Sequence, residues 1–180
     1  LTAEIVNGTL RWRRSLDHLI VHFAKRPLAR IDADVLTILR LSLYQILHLD
    51  RVPVSAIVDD AVNITKAAKK TSASGFVNAV LRSTLRERTR LPLPSRPADL
   101  ADRAALLAYL GITHSHPEWL VERWLDRHGF EPAERWVQFN NDSPALMLRA
   151  NTLRTTREEL TAAMEREDIA TTPARLDRKS

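Results

Sequence analysis

Apolar residues recur along most of this chain at helical spacing. Across residues 15–24, Leu16, Leu19, Ile20 and Phe23 fall on one stripe, and residues 2–13 read as a preceding helix. Residues 32–49 are apolar around most of the helical circumference, which predicts the longest and most buried helix. Pro53 marks the next helix start, and Val54, Ile57, Val58, Ala61, Ile64 and Ala68 form a stripe ending at Lys70. A polar turn over 71–75 leads into a helix from 74 to about 88, with Phe76, Val77, Val80, Leu81 and Leu85 on one face. Five helices with short connections predict a compact bundle over 1–90.

The pattern then changes. Pro92, Pro94 and Pro97 make 91–98 a stiff, extended linker, and the domain boundary is expected there. A helix is predicted over 99–110. Ser115 and Glu118 have capping-box spacing with Pro117 between them, opening a helix to His128 that Gly129 caps. A short helix follows from Pro132 to about Phe139. Residues 140–144 are a turn. Residues 145–151 alternate apolar and polar, a strand signature. Thr155 and Glu158 suggest another capping box and a helix to Arg166, with a second strand starting over 169–172. The expected fold class is mainly α: a helical bundle, then in 99–180 further helices and an incomplete β-α-β domain that stops in mid-fold.

Composition narrows the chemistry. The 180 residues include only 4 Gly and no Cys. Gly scarcity argues against a Gly-rich nucleotide loop, and the lack of Cys excludes disulfides, Cys-zinc sites and a thiolate nucleophile within this chain. The lack of Cys fits a reducing cytoplasm. The first nine residues carry no signal-peptide pattern. The apolar run 35–49 contains Arg40, Gln45 and His48 and is short for a bilayer, so no membrane partner is expected. Residues 1–90 hold 15 Lys/Arg against 8 Asp/Glu, whereas 91–180 hold 12 against 14. A basic helical half suits a polyanion partner, although such residues also serve as solvated helix faces.

Candidate contacts lie in that half. Asn78, Arg82, Arg86 and Arg90 are spaced four apart, one helical face able to track phosphates. Asn78 fits a structural role better. Arg11, Arg13 and Arg14 surround Trp12; the arginines can meet phosphate, while Trp12 is expected to pack in the core. His18 and His22 share a face but lack a third ligand, so no metal is expected. Adjacent carboxylates Asp59–Asp60 and Glu158–Glu159 diverge by about 100° on a helix and cannot act as a catalytic pair.

Two stretches resemble known families. Leu41-Ser42-Leu43-Tyr44-Gln45-Ile46-Leu47, Val52-Pro53 and Gly75-Phe76-Val77-Asn78-Ala79-Val80-Leu81-Arg82 resemble the NusB-like helical domain. Ser115-His116-Pro117-Glu118-Trp119-Leu120-Val121, with Leu148-Arg149-Ala150-Asn151-Thr152-Leu153, resembles the region after that domain in the RsmB (Sun, Fmu) family of 16S ribosomal-RNA cytosine-5 methyltransferases. The family usually has Val where Ala150 stands. The resemblance implies a NusB-like domain, a small α/β domain and a Rossmann-like domain that binds S-adenosylmethionine and supplies catalytic cysteines. With no Cys and no Gly-rich loop, the catalytic domain is expected to be absent here. No catalytic, metal or cofactor residue is then assigned, and the chain is not expected to be active alone. By analogy with NusB, Arg11, Arg13 and Arg14 become candidates for RNA contact. The expected partners are RNA, 16S ribosomal RNA above all, and the missing methyltransferase domain. The alternatives are a NusB-type antitermination adaptor binding RNA and a ribosomal protein, which leaves 99–180 unexplained, and a protein-docking module.

Overall fold

A computed structural model describes residues 1–142 and 146–173. It divides into two compact units, Leu1–Asp142 and Ser143–Ser180.

The first unit opens with the expected five helices: α1 (Thr2–Arg11), α2 (Arg13–Ala24), α3 (Ala33–His48), α4 (Val54–Ala67) and α5 (Ser74–Arg86). α3 is central, as its all-round apolar pattern requires. Its N-terminus is capped by Asp32, whose Oδ1 accepts from the Asp34 and Val35 amides at 3.0 and 3.4 Å. Leu39, Leu43 and Ile46 of α3 are fully buried with Leu16 and Ile20 of α2 and Val77 and Leu81 of α5. Each such side chain contributes about 1.5–3 kcal/mol by leaving water. Arg40 of α3 donates to both carboxylate oxygens of Asp17 on α2 at 2.6 and 2.8 Å.

The helix expected over 2–13 is divided at Trp12 (φ −91°, ψ 10°). The indole turns into the bundle and stacks on His48 at 4.5 Å between ring centroids, and His48 stacks in turn on Tyr44 at 5.1 Å. Trp12 therefore packs against the core, as its sequence context suggests. α1 comes close to α3 because residue 8 is glycine: a Cβ there would fall inside the Tyr44 ring.

The proline segment lies within the first compact unit. It lies against its surroundings, held through carbonyls that an extended chain leaves unpaired. The His18 Nε2–H donates to Pro92 O at 2.9 Å, and Thr113 Oγ1 donates to Pro94 O at 2.6 Å. Arg96 pairs with Glu134 at 2.9 Å and Glu131 at 2.8 Å, its guanidinium over the Phe130 ring. The Tyr109 hydroxyl donates to Glu134 at 2.9 Å, and Arg96 foremost holds that carboxyl below its usual range. These contacts tie the segment to a second core of Leu106, Leu110, Val121, Leu125, Phe130 and Val137. That core is built from α6 (Arg103–Ala108), a wider π turn over Tyr109–Thr113, α7 (Glu118–His128) and α8 (Phe130–Asn141). Gly129 (φ 72°) ends α7 as expected and starts α8 directly.

In the second unit, α9 (Arg157–Arg166) starts with a capping box made by Thr156 and Glu159, one residue later than the expected Thr155 and Glu158. Among the described residues there is no β-strand. The described parts of the expected strands, 146–151 and 169–172, have no ladder partner. Alternation can give a segment two faces, but only pairing makes it a strand. Leu146, Leu148 and Leu153 are exposed accordingly.

Candidate nucleic-acid interface

The α1–α2 corner fixes the first arginine cluster. Because Trp12 is pinned by His48, its neighbours Arg11 and Arg13 project outward and are exposed. Arg11 makes no ion pair among the described residues. Arg13 approaches Asp17 only at 3.8 Å, and that carboxylate is already taken by Arg40. Both guanidinium groups therefore keep donors free for an anion.

Arg14, the third candidate of the cluster, is engaged within the chain. Its Nη1 donates to His116 O at 2.8 Å and its Nη2 to Glu118 Oε2 at 2.7 Å. Its own amide donates to Ser115 Oγ at 3.0 Å, and the Ser15 amide reaches the same oxygen at 3.4 Å. Ser115, about a hundred residues away in sequence, thus caps the N-terminus of α2, where no local side chain does. The capping box expected between Ser115 and Glu118 does not form. α7 starts after Pro117 without a side-chain cap, and both residues face Arg14 instead. Gly111 stands under this clasp, where a Cβ would lie 2.9 Å from Arg14 Nη1.

On α5, Arg82 and Arg86 are exposed and lack a carboxylate partner among the described residues. Arg82 Nε donates to Asn78 Oδ1 at 3.0 Å and Arg86 Nη2 to Ser83 Oγ at 2.8 Å. Asn78 therefore steadies Arg82 within the same helix. Arg90 leaves the row: α5 ends at Arg86 and the chain turns, with the Glu87 and Arg90 amides bonded to Thr84 O and Glu87 O. Continuing helix would carry residue 91, which precedes Pro92, into a region that proline disfavours.

Arg88 was not singled out by spacing. With Trp12, Leu19, Leu47 and His48 it lines a cleft of about 170 Å³. This cleft brings the end of α5 to the α1–α2 corner. The two basic clusters, about seventy residues apart in the chain, thus share one end of the bundle. Nothing in local spacing marks Arg88; only the antiparallel packing of α2 and α5 does. His48 keeps its edge exposed while its faces are covered, and that desolvation lowers its pKa to about 4, leaving the ring neutral at pH 7.

Residues 1–86 match the NusB family, and residues 116–178 match the ferredoxin-like domain of RsmF/B-like methyltransferases. The chain is 38% identical over 169 residues to the probable ribosomal RNA small subunit methyltransferase B of Bacillus subtilis, covering 94% of this chain and 36% of that protein. It is 32% identical over 169 residues to the probable ribosomal RNA small subunit methyltransferase B of Synechocystis, again covering 94% and 36%. The ribosomal RNA small subunit methyltransferase B of Pseudomonas putida is 31% identical over 178 residues, covering 99% of this chain and 38% of that protein. The chain belongs to the ribosomal RNA small subunit methyltransferase B family. It spans a little over a third of the length of these curated relatives.

The Ser115–Glu118 segment that carries the family resemblance is the one that grips Arg14. Among the described residues no helix is long and apolar enough to cross a membrane. None of the four glycines forms an open turn between a strand and a helix. Neighbouring side chains crowd Gly8 and Gly111, Gly129 joins two helices, and Gly75 lies in the first turn of α5.

Proposed function

We propose that this chain is the RNA-binding N-terminal region of an S-adenosylmethionine-dependent 16S ribosomal-RNA (cytosine-5) methyltransferase, positioning the RNA for a catalytic domain outside the chain. The observation that carries this reading is the gathering of exposed arginines, with no carboxylate closer than 3.8 Å among the described residues, at one end of a NusB-family bundle. Arg11 and Arg13 stand at the α1–α2 corner, and Arg82 and Arg86 on α5. Arginine forks donate bidentately to phosphate, so this face attracts the strand through its backbone and leaves sequence choice elsewhere. The relatives' names support ribosomal RNA as the substrate. The methyl donor belongs with the catalytic domain, and cytoplasmic localisation follows from the same assignment. Arg90, beyond the helix, adds charge without belonging to the row. Arg14 contributes by fixing the corner that presents Arg13.

The test is fluorescence anisotropy of a labelled single-stranded oligoribonucleotide at several salt concentrations. Three phosphate contacts give a slope of log affinity against log salt of about −2. Arg82→Glu with Arg86→Glu is expected to flatten that slope and weaken binding to all sequences alike. A slope unchanged in the double variant removes α5 from the RNA-binding face.

A further inference from the structure

A second cation-lined cleft lies at the far end of the same two helices. Arg13 opens α2 and Arg86 closes α5, whereas this cleft is built by residues just after α2 and at the start of α5. Helices of 12 and 13 residues put the two ends about 18 Å apart. The cleft encloses about 280 Å³ and is lined by Arg26, Arg30, Ile31, Val35, Ser72 and Phe76, with Ala73 and Asp32 completing it. Over 25–34 and 66–74 the chain carries six Lys/Arg, namely Lys25, Arg26, Arg30, Lys66, Lys69 and Lys70, against Asp32 and Asp34.

The two carboxylates do not cancel the arginines, because they are spent on other groups. Asp32 Oδ2 accepts from Lys70 Nζ at 2.6 Å, its Oδ1 caps α3, and Asp34 lies 3.8 Å from the same lysine. The bond from Lys70 foremost holds the Asp32 carboxyl below its usual range, so it stays ionised and paired. Arg30 makes no side-chain hydrogen bond or ion pair among the described residues. Arg26 lays its guanidinium over the Phe76 ring at 4.5 Å, which orients the group without using its N–H donors. Two guanidinium forks thus face one cleft with an apolar floor of Ile31, Val35 and Phe76. That pairing of donors and apolar surface suits a phosphodiester with its ribose.

We propose that this cleft binds one backbone phosphate of an RNA strand, held by Arg26 and Arg30, as a second anchor beyond the α1–α2 and α5 arginines. The inference rests on the RNA-binding reading above. Two anchors about 18 Å apart span several nucleotides and would fix the direction of a strand across the bundle, which a single basic end cannot do.

The experiment uses the whole chain and a fluorescein-labelled single-stranded oligoribonucleotide of about 20 nucleotides, with salt varied between about 0.05 and 0.2 M. Losing one phosphate contact reduces the slope by about 0.7, equivalent to about a fivefold loss of affinity at 0.1 M salt. Arg26→Gln with Arg30→Gln is expected to show both changes with an unchanged thermal midpoint. Arg26→Lys with Arg30→Lys keeps the charge and is expected to keep the slope. If removing Arg26 from Phe76 unfolds the double variant, Arg30→Gln alone carries the test, with a loss of at least about twofold. Wild-type affinity and slope in Arg26→Gln/Arg30→Gln, while Arg82→Glu/Arg86→Glu still weakens binding, overturns the second anchor alone. An acidic polypeptide such as poly-glutamate, losing affinity in the glutamine variant while RNA does not, also overturns it, in favour of a protein partner. Failure of the wild-type chain to bind RNA at any salt overturns the functional reading and this inference together.

Discussion

Arg13 and Arg14 are neighbours in a basic cluster, yet the structure gives them opposite roles, and paired substitutions separate these. Arg14→Ala removes the Nη1 bond to His116 O and the Nη2 bond to Glu118. A charged donor on a neutral carbonyl is worth about 1.5 kcal/mol net. The Glu118 pair is discounted to about 0.5 kcal/mol, because that side chain is 59% exposed and Arg14 itself 32%. The loss of about 2 kcal/mol corresponds to about 6–8 °C in thermal midpoint for a unit of this size. Arg13→Ala removes only a contact at 3.8 Å to a carboxylate already bound by Arg40, so its midpoint should stay within about 1 °C of wild type. Differential scanning calorimetry reads the stability, and RNA anisotropy reads the binding. Arg13→Ala is expected to weaken RNA binding without touching stability, and Arg14→Ala to lower stability. The reasoning is refuted if Arg14→Ala melts like wild type while reducing RNA affinity as much as Arg13→Ala does.

Gly111→Ala places a Cβ 2.9 Å from Arg14 Nη1 and 3.2 Å from its Cζ, and should cost about 1 kcal/mol in thermal unfolding. Because both changes strike one clasp, Gly111→Ala combined with Arg14→Ala should be less than additive, and strict additivity would count against the contact. Gly8→Ala drives a methyl group into the Tyr44 ring and should lower stability by about 1–3 kcal/mol in urea denaturation, despite alanine's better helix propensity. His48 has a folded pKa lowered to about 4 by desolvation, against an unfolded value near 6.5. Below about 6.5 the unfolded chain binds the proton more readily, so this contribution to stability is whole above that pH and declines as pH falls toward about 4. The exposed ring edge keeps the effect small. His48→Gln should flatten that limb of the stability–pH curve, and a limb unchanged in the variant would assign it to other groups.

The sequence alone determined the helices, because amphipathic spacing is a local property of the chain. α2, α3, α4 and α5 each follow a stripe visible in the residue order, and Asp32 and Gly129 punctuate them as their chemistry demands. The family resemblance was equally legible in the residues. Tertiary structure decided how capping and charged groups were used. Ser115 and Glu118 have the spacing of a capping box, but the amides at the start of α2 lacked a local cap, and Arg14 offered Glu118 a cation. The prolines of 91–98 predict a stiff, extended linker, but what holds it is not local: extended backbone leaves carbonyls open, and His18 and Thr113 were placed to reach them. Alternation over 146–151 predicts a strand, which requires a neighbouring backbone that no local pattern can supply. Arg88 and Arg30 became candidates only when helices distant in sequence packed antiparallel and closed clefts around them. Periodicity fixes which face of a helix is buried; which cation is left without a carboxylate depends on what the other helices bring to it.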